Sequence, residues 1–255
     1  MAIKLLSAAI ILPFLQATSV YAAHPLITDD AGTQGKGKAQ LEFIGEYDHG
    51  KKDGVTTDSV VAPTIPVLSY GMTDAADIVL GISYEHVRTS DAQNAGTVDG
   101  ISDASVELKW RVYEHDGLGF ALKPGITLPT GNDEKGLGAG RATAHLYFIT
   151  TKEVQPWAFH FNLGYIRNEN KVDERRDIWQ ASFAGVLAVS EKFKVVANIG
   201  IESDRDKAST ADPYFILGGL IYSISETLDF DIGIRKGFYN HGTDYSIPAG
   251  ITWKF

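Results

Sequence analysis

The chain contains no cysteine in 255 residues and only two methionines. The first absence removes disulfide frameworks, thiolate metal sites and cysteine nucleophiles together. Basic residues are also in deficit, with 23 Lys and Arg against 32 Asp and Glu and a formal net charge of −9. A chain of that sign has no electrostatic footprint for nucleic acid, which excludes that class of partner. Past residue 22 no uninterrupted apolar run approaches the roughly 20 residues that a spanning helix needs. Yet apolar residues make up 44% of the chain, too many for bulk disorder. The 26 glycines and 11% aromatics fit strands and turns better than helices.

The first 22 residues differ from the rest. Lys4 precedes an apolar run from Leu5 to Leu15, and Val20-Tyr21-Ala22 ends the segment on residues that a signal peptidase reads. That order is a secretory signal peptide over residues 1–22, whose apolar core is too short to span a bilayer. The exported chain is expected to begin near Ala23.

Beyond it the dominant period is two. Ala104, Val106, Leu108, Trp110 and Val112 fall on one face of a segment whose other face carries Asp103, Ser105, Glu107, Lys109 and Arg111. Alternation of that kind marks a strand, whose successive side chains point to opposite sides. About twelve such segments follow one another, near 38–48, 59–70, 76–87, 102–113, 118–129, 141–151, 156–167, 177–189, 193–203, 213–224, 227–237 and 244–255. The second, eighth and tenth are the least cleanly patterned. Short turns, such as Gly71–Asp74 and a three-residue loop at 115–117, alternate with longer polar connections, such as 89–100, 130–140 and 203–212.

One tight end, one loose end and an even strand number describe a closed antiparallel transmembrane β-barrel, all-β, of the bacterial outer-membrane kind. Strand length agrees, because soluble strands cluster at 5–6 residues and membrane strands need roughly 9–11. Aromatic residues of the apolar face gather in two belts. Trp110, Trp157, Trp253 and Phe255 belong to the tight end; Tyr47, Tyr84, Tyr165, Trp179 and Tyr245 belong to the loose end. Such belts seat amphipathic rings at two membrane interfaces. A last strand closing on Phe255 resembles the C-terminal signature by which the barrel-assembly machinery reads outer-membrane proteins.

If the apolar face meets lipid, the opposite face lines the lumen. It carries Glu42, Glu46, Glu85, Glu107, Lys109, Arg111, Lys123, Arg141, His145, His160, Lys194, Glu202, Asp229, Asp231, Arg235 and Lys254. The loop at 115–117 sets Lys109 opposite Lys123, a mixed-charge constriction or a salt-bridge network filling the lumen. His145 and His160 are expected as near cross-strand partners. No lumenal carboxylate is placed beside them, so a hydrogen-bonded pair is expected and no metal site. Ser182 faces inward away from both, which leaves no catalytic constellation, and no cofactor is expected. Gly136–Gly140 precedes a strand and not a helix, so it is a mobile external loop and no phosphate cradle. Residues 23–37 form a periplasmic N-terminal segment that either plugs the lumen or tethers the barrel at 38–255.

Three stretches carry a family resemblance: Ala23-His24-Pro25-Leu26-Ile27-Thr28-Asp29-Asp30-Ala31-Gly32 with Gly35-Lys36-Gly37-Lys38; Gly100-Ile101-Ser102-Asp103-Ala104 leading to Glu107-Leu108-Lys109-Trp110-Arg111; and Lys123-Pro124-Gly125-Ile126-Thr127-Leu128-Pro129-Thr130-Gly131. Together they resemble the outer-membrane transporter family labelled MetA-pathway of phenol degradation. The resemblance implies a Gram-negative outer-membrane channel, a monomer among lipid and lipopolysaccharide, for passive uptake of small solutes, aromatic or hydrophobic compounds among them. It supplies no catalytic residues, and no enzyme is expected. The alternative is a closed structural or adhesive barrel acting through its external loops, with an outer-membrane lipid hydrolase a distant third.

Overall fold

The computed structural model describes residues 24–52, 55–90, 95–238 and 243–255, so the expected signal peptide lies outside the described residues. The strands are β1 (Ala39–Lys52), β2 (Val55–Thr73), β3 (Ala76–Ser90), β4 (Ala95–Ile101), β5 (Ala104–His115), β6 (Leu118–Leu128), β7 (Thr143–Val154), β8 (Trp157–Arg167), β9 (Asp177–Ala188), β10 (Phe193–Glu202), β11 (Tyr214–Ser223), β12 (Leu228–Phe238) and β13 (Tyr245–Lys254). All pair antiparallel. β1 meets β13 from Gln40↔Lys254 to His49↔Tyr245, closing the sheet. At the seam Ala39 and Phe255 exchange two backbone hydrogen bonds of 2.7 and 2.9 Å. β4 and β5 lie end to end along β3, so the wall is twelve strands around. Among the described residues every strand but β4, which meets only β3 at the long-loop end, is paired on both sides, the condition hydrocarbon imposes on a backbone that cannot bond to water.

Exposure follows the period of two. On β8, Trp157, Phe161 and Leu163 are exposed outward while Ala158, His160, Asn162 and Gly164 are buried inward. On β13, Ser246, Pro248, Gly250 and Thr252 are buried, and Ile247, Ile251 and Trp253 are exposed. An apolar outside around a largely polar inside is the inverse of a soluble sandwich. Trp110, Trp157, Trp253 and Phe255 are exposed at the short-turn end, and Trp179 at the long-loop end. There Trp179 lies 4.8 Å from Tyr165 and Tyr47 lies 6.3 Å from Tyr245, ring centre to ring centre. The hydroxyls of Tyr47, Tyr84 and Tyr165 donate to Asp58, Asp99 and Asp177 on neighbouring strands at 2.6–2.8 Å, a wet tip on each apolar ring.

Three local features differ from the sequence reading. The turn after β5 has two residues, Asp116 (φ 49°) and Gly117 (φ 68°), and a bulge between Arg111 and Tyr113 restores the register that sets Lys109 opposite Lys123. The stretches expected as loops near 49–58 and 89–100 are mostly paired strand. Both faces are polar there, so pairing continues after the amphipathic contrast has gone. Finally, the segment 136–140 is pinned and not free. Asp103, at the break between β4 and β5, accepts from the N–H groups of Gly131 and Ala139, both at 2.8 Å, and Leu137 is buried.

Candidate functional site

Residues 24–34 run inside the barrel. The N–H groups of Ile27 and Thr28 donate to Asn198 Oδ1 (2.8 and 3.1 Å), that of Ala31 to Thr151 Oγ1 (2.8 Å) and that of Gln34 to Asp77 Oδ2 (2.9 Å). The amide of Asn162 exchanges two 2.8 Å hydrogen bonds with the backbone N–H and C=O of Asp29. Each bond satisfies a strap group that the wall would otherwise leave buried and unpaired. Leu26 packs on an inward apolar cluster of Ala158, Val186, Val196, Leu217 and Ile221 from β8 to β11. Glycines in the wall make room, since a Cβ at Gly219 would lie 2.7 Å from the ring of Pro25.

Asp29 is the electrostatic centre. Its carboxylate accepts from Lys109 Nζ at 2.8 Å and Lys123 Nζ at 3.2 Å. Lys109 also faces Asp30 (3.6 Å), Lys123 pairs with Glu107 (2.9 Å), and Glu107 meets His145 Nε2 (2.8 Å). Burial pushes the Asp29 carboxyl up, but the two ammonium groups outweigh it and hold the group well below the usual carboxylate range.

The other inward residues form smaller groups. Arg235 bonds to Glu46 (2.5 Å), Asp48 (3.2 Å) and Ser246 Oγ (2.8 Å). Lys254 bonds to Asp229 (2.7 Å) and Asp231 to His24 (2.5 Å), which ties the strap to β12. Arg111 reaches the carbonyl of Asp74 at the short-turn end (2.8 Å), and Glu202 reaches Arg205 at the other (3.4 Å). Glu42 lines a cavity described below, while Glu85 and Lys194 share the inward parity of Val79 and Val196.

Two expectations are corrected. Arg141 is exposed in the loop before β7, because the strand starts at Thr143. His145 and His160 are not cross-strand neighbours. The two-residue turn Gln155-Pro156 pairs His145 with Ile166 and His160 with Thr151, whose hydroxyl lies 2.9 Å from His160 Nδ1. A lumenal carboxylate, Glu107, does stand beside His145, brought there from β5 across Gly125 of β6.

The strap divides the lumen. On its long-loop side lies a cavity of about 770 Å³ with Tyr147, Gln180, Ser182, Tyr214, Phe215 and Arg235 in its wall. On the short-turn side lies one of about 310 Å³ bordered by Gln40, Glu42, Ser69, Asp77 and Lys109. Ile27, Asp29, Glu107 and Lys123 belong to both. Around the two, eight carboxylates (Asp29, Asp30, Glu42, Asp77, Glu107, Glu202, Asp204 and Asp206) face four bases, Lys109, Lys123, Arg205 and Arg235, among the described residues. The aromatic rings lie against the wall because the residue opposite each is glycine: Tyr147 opposite Gly164 and Phe215 opposite Gly200. A Cβ at Gly164 would stand 2.4 Å from the Tyr147 ring.

Sequence reasoning missed the strap acids, Asn198, Tyr147 and Phe215, and it placed Asn162 in the lumen without its bonds to Asp29. For the two rings a usable signal was there in the inward Gly164 and Gly200, each opposite one of them.

A family model described as "Putative MetA-pathway of phenol degradation" matches residues 25–255. Among solved structures, the COG4313 outer membrane channel from Pseudomonas putida F1 is similar with a TM-score of 0.67 and 14% identity, over 94% of this chain and 100% of that one. The NanC porin follows at 0.54 and 11%, over 84% and 100%. The translocator domain of the autotransporter NalP from Neisseria meningitidis gives 0.52 and 11%, over 87% and 89%. At such identities the likeness is one of fold, that of outer-membrane barrels. Among curated proteins nothing matches the chain.

Proposed function

The chain belongs to the family described as "Putative MetA-pathway of phenol degradation", and on that premise we propose that it is a passive outer-membrane channel for small solutes, aromatic compounds among them. The observation that carries the reading is the pair of cavities meeting at Asp29, Glu107 and Lys123. A vestibule that could seat a one-ring molecule leads to a single bottleneck. Under this reading the long-loop end faces outward and the short-turn end, with both ends of the barrel domain, faces the periplasm. Solute enters the vestibule, rests on Tyr147 and Phe215, and passes where the strap crosses. The strap is then the resistance of the pathway, a polar constriction set across the pore.

Aromatic cargo is supported by the family's description and by rings lying flat on the vestibule wall, faces available for offset stacking. Passage is diffusive and non-enzymatic. Ser182 lies opposite Asn162 and Gly200, with no histidine across from it. Segment 24–37 belongs functionally to the lumen, and the export signal at 1–22 and recognition of Phe255 by the assembly machinery complete the proposal.

The test is single-channel current through the refolded chain in a planar bilayer, with benzyl alcohol then added on the long-loop side. Discrete steps that the alcohol interrupts support the channel. A folded barrel passing no current favours a filled lumen that works through its loops.

A further inference from the structure

The charges along this pathway are not balanced in kind. Each base beside the cavities is already held: Lys109 and Lys123 by Asp29, Arg205 by Glu174 and Glu202, and Arg235 by Glu46 and Asp48. At the two cavities an anion finds a cation only by displacing a carboxylate from an ion pair; the inward Lys194 borders neither cavity.

Two of the acids are not so constrained. Glu42 and Asp77 border the 310 Å³ cavity and enter no ion pair among the described residues. Asp77 is 1% exposed, and its Oδ1 is buried without a hydrogen-bond partner while Oδ2 takes the N–H of Gln34. A buried carboxylate with one unpaired oxygen in the wall of a cavity makes that cavity favourable for a cation or a donor group. At the opposite mouth Asp206 adds to the same sign. Low-dielectric walls focus such a field along the axis instead of letting solvent dissipate it.

From this census, and resting on the channel reading, we infer that the pathway selects by sign of charge: it passes neutral and cationic solutes and turns anions away. The cargo is then an uncharged or cationic small organic molecule, such as a neutral alcohol, phenol or amine, and not its carboxylate counterpart. Carboxylate-lined pores select in this direction for a general reason. A permeating cation is partly resolvated by the carboxylates, whereas an anion meets like charge after losing part of its hydration.

The experiment is the reversal potential of the full chain in a planar bilayer under a tenfold KCl gradient, followed by equal-sized one-ring probes: benzylammonium, benzyl alcohol and benzoate. The expected K⁺ to Cl⁻ permeability ratio is about 5 in dilute salt. It should fall toward one near 1 M salt, where the screening length contracts from about 10 Å to about 3 Å. Neutralising Glu42→Gln with Asp77→Asn should at least halve the ratio. Benzylammonium and benzyl alcohol should permeate liposomes faster than benzoate. A ratio at or below one in the unaltered chain, or benzoate permeating as fast as the alcohol, overturns the inference and leaves the channel reading standing. Absence of any current overturns both.

Discussion

Replacing Asp29 by alanine is the sharpest perturbation of the constriction. Its carboxylate links two ammonium groups whose side chains are only 10% and 17% exposed. Removing one partner of a buried ion pair commonly costs about 3–5 kcal/mol, because the other charge stays behind without compensation. Here the loss should sit at or below the low end of that range. Lys123 keeps Glu107 at 2.9 Å and Lys109 keeps Asp30 at 3.6 Å, so each lysine retains an acid. A cost of about 2–3 kcal/mol follows, and at 1.4 kcal/mol per decade it raises the strap-released population about 30–140-fold. The other anchors stay in place, namely hydrogen bonds worth about 1 kcal/mol each to Asn198, Thr151, Asp77 and Asn162, the His24–Asp231 pair and the packing of Leu26, so the strap loosens without unfolding the barrel. Recordings of Asp29→Ala should show a larger conductance level occupied far longer than in the parent, and residues 24–34 should become open to protease from the short-turn side. Asp29→Asn, which keeps the size and loses the charge, should fall between. Parent-like dwell times in a variant with parent-like circular dichroism would refute the argument that Asp29 holds the constriction.

Other consequences are more quickly tested. Leu163→Lys puts a charge on the lipid face and should destabilise the barrel by about 2–4 kcal/mol in urea titrations in lipid vesicles if the site lies near midplane. Gln180→Lys, which points into the 770 Å³ cavity, should cost under about 1 kcal/mol. Equal costs would invert the assignment of faces. Gly164→Ala places a methyl where the Tyr147 ring now lies, so the ring must swing into the vestibule and block of the current by benzyl alcohol should weaken. Unchanged block would mean that the Tyr147 ring does not bind the solute. The Asp29 link should also resist acid. A carboxyl held below its ordinary range contributes above the unfolded value and loses its contribution only as pH falls through the lowered one. Protease access to residues 24–34 should therefore be equal at pH 7 and pH 5, and a rise at pH 5 would contradict the assignment.

Much of this architecture is local information. Period-two alternation in Asp103–Val112 or Trp157–Tyr165 needs no tertiary context, because a strand in a bilayer has one face that must be apolar. The same rule identified the outward aromatic belts and the inward Glu107, Lys109 and Lys123. It weakened where another contact competed. β9 and β11 are two of the three less clearly patterned segments, and in them the inward Ile178, Val186, Leu217 and Ile221 are as apolar as the outward residues. The packing of Leu26 and Phe215 gives part of the reason: inside the barrel these positions meet protein and not water.

What the sequence determined by itself is therefore the barrel: closed, antiparallel, twelve strands around, with a given face toward lipid. Short-range alternation and turn spacing suffice for that, because each strand must satisfy its own backbone and its own two faces. Only the tertiary structure decided what the lumen is. The route of residues 24–34, the meeting of Asp29 with two lysines some 80 and 94 positions away, the pairing of His145 with Glu107 and not His160, and the division into two cavities all depend on register accumulated around the closed wall. A shift in one turn, as between the expected connection after residue 151 and the observed turn Gln155-Pro156, moves every cross-strand partner along the two strands unless a bulge takes it up, as it does after Arg111. The chemistry of the pore resides in those partners.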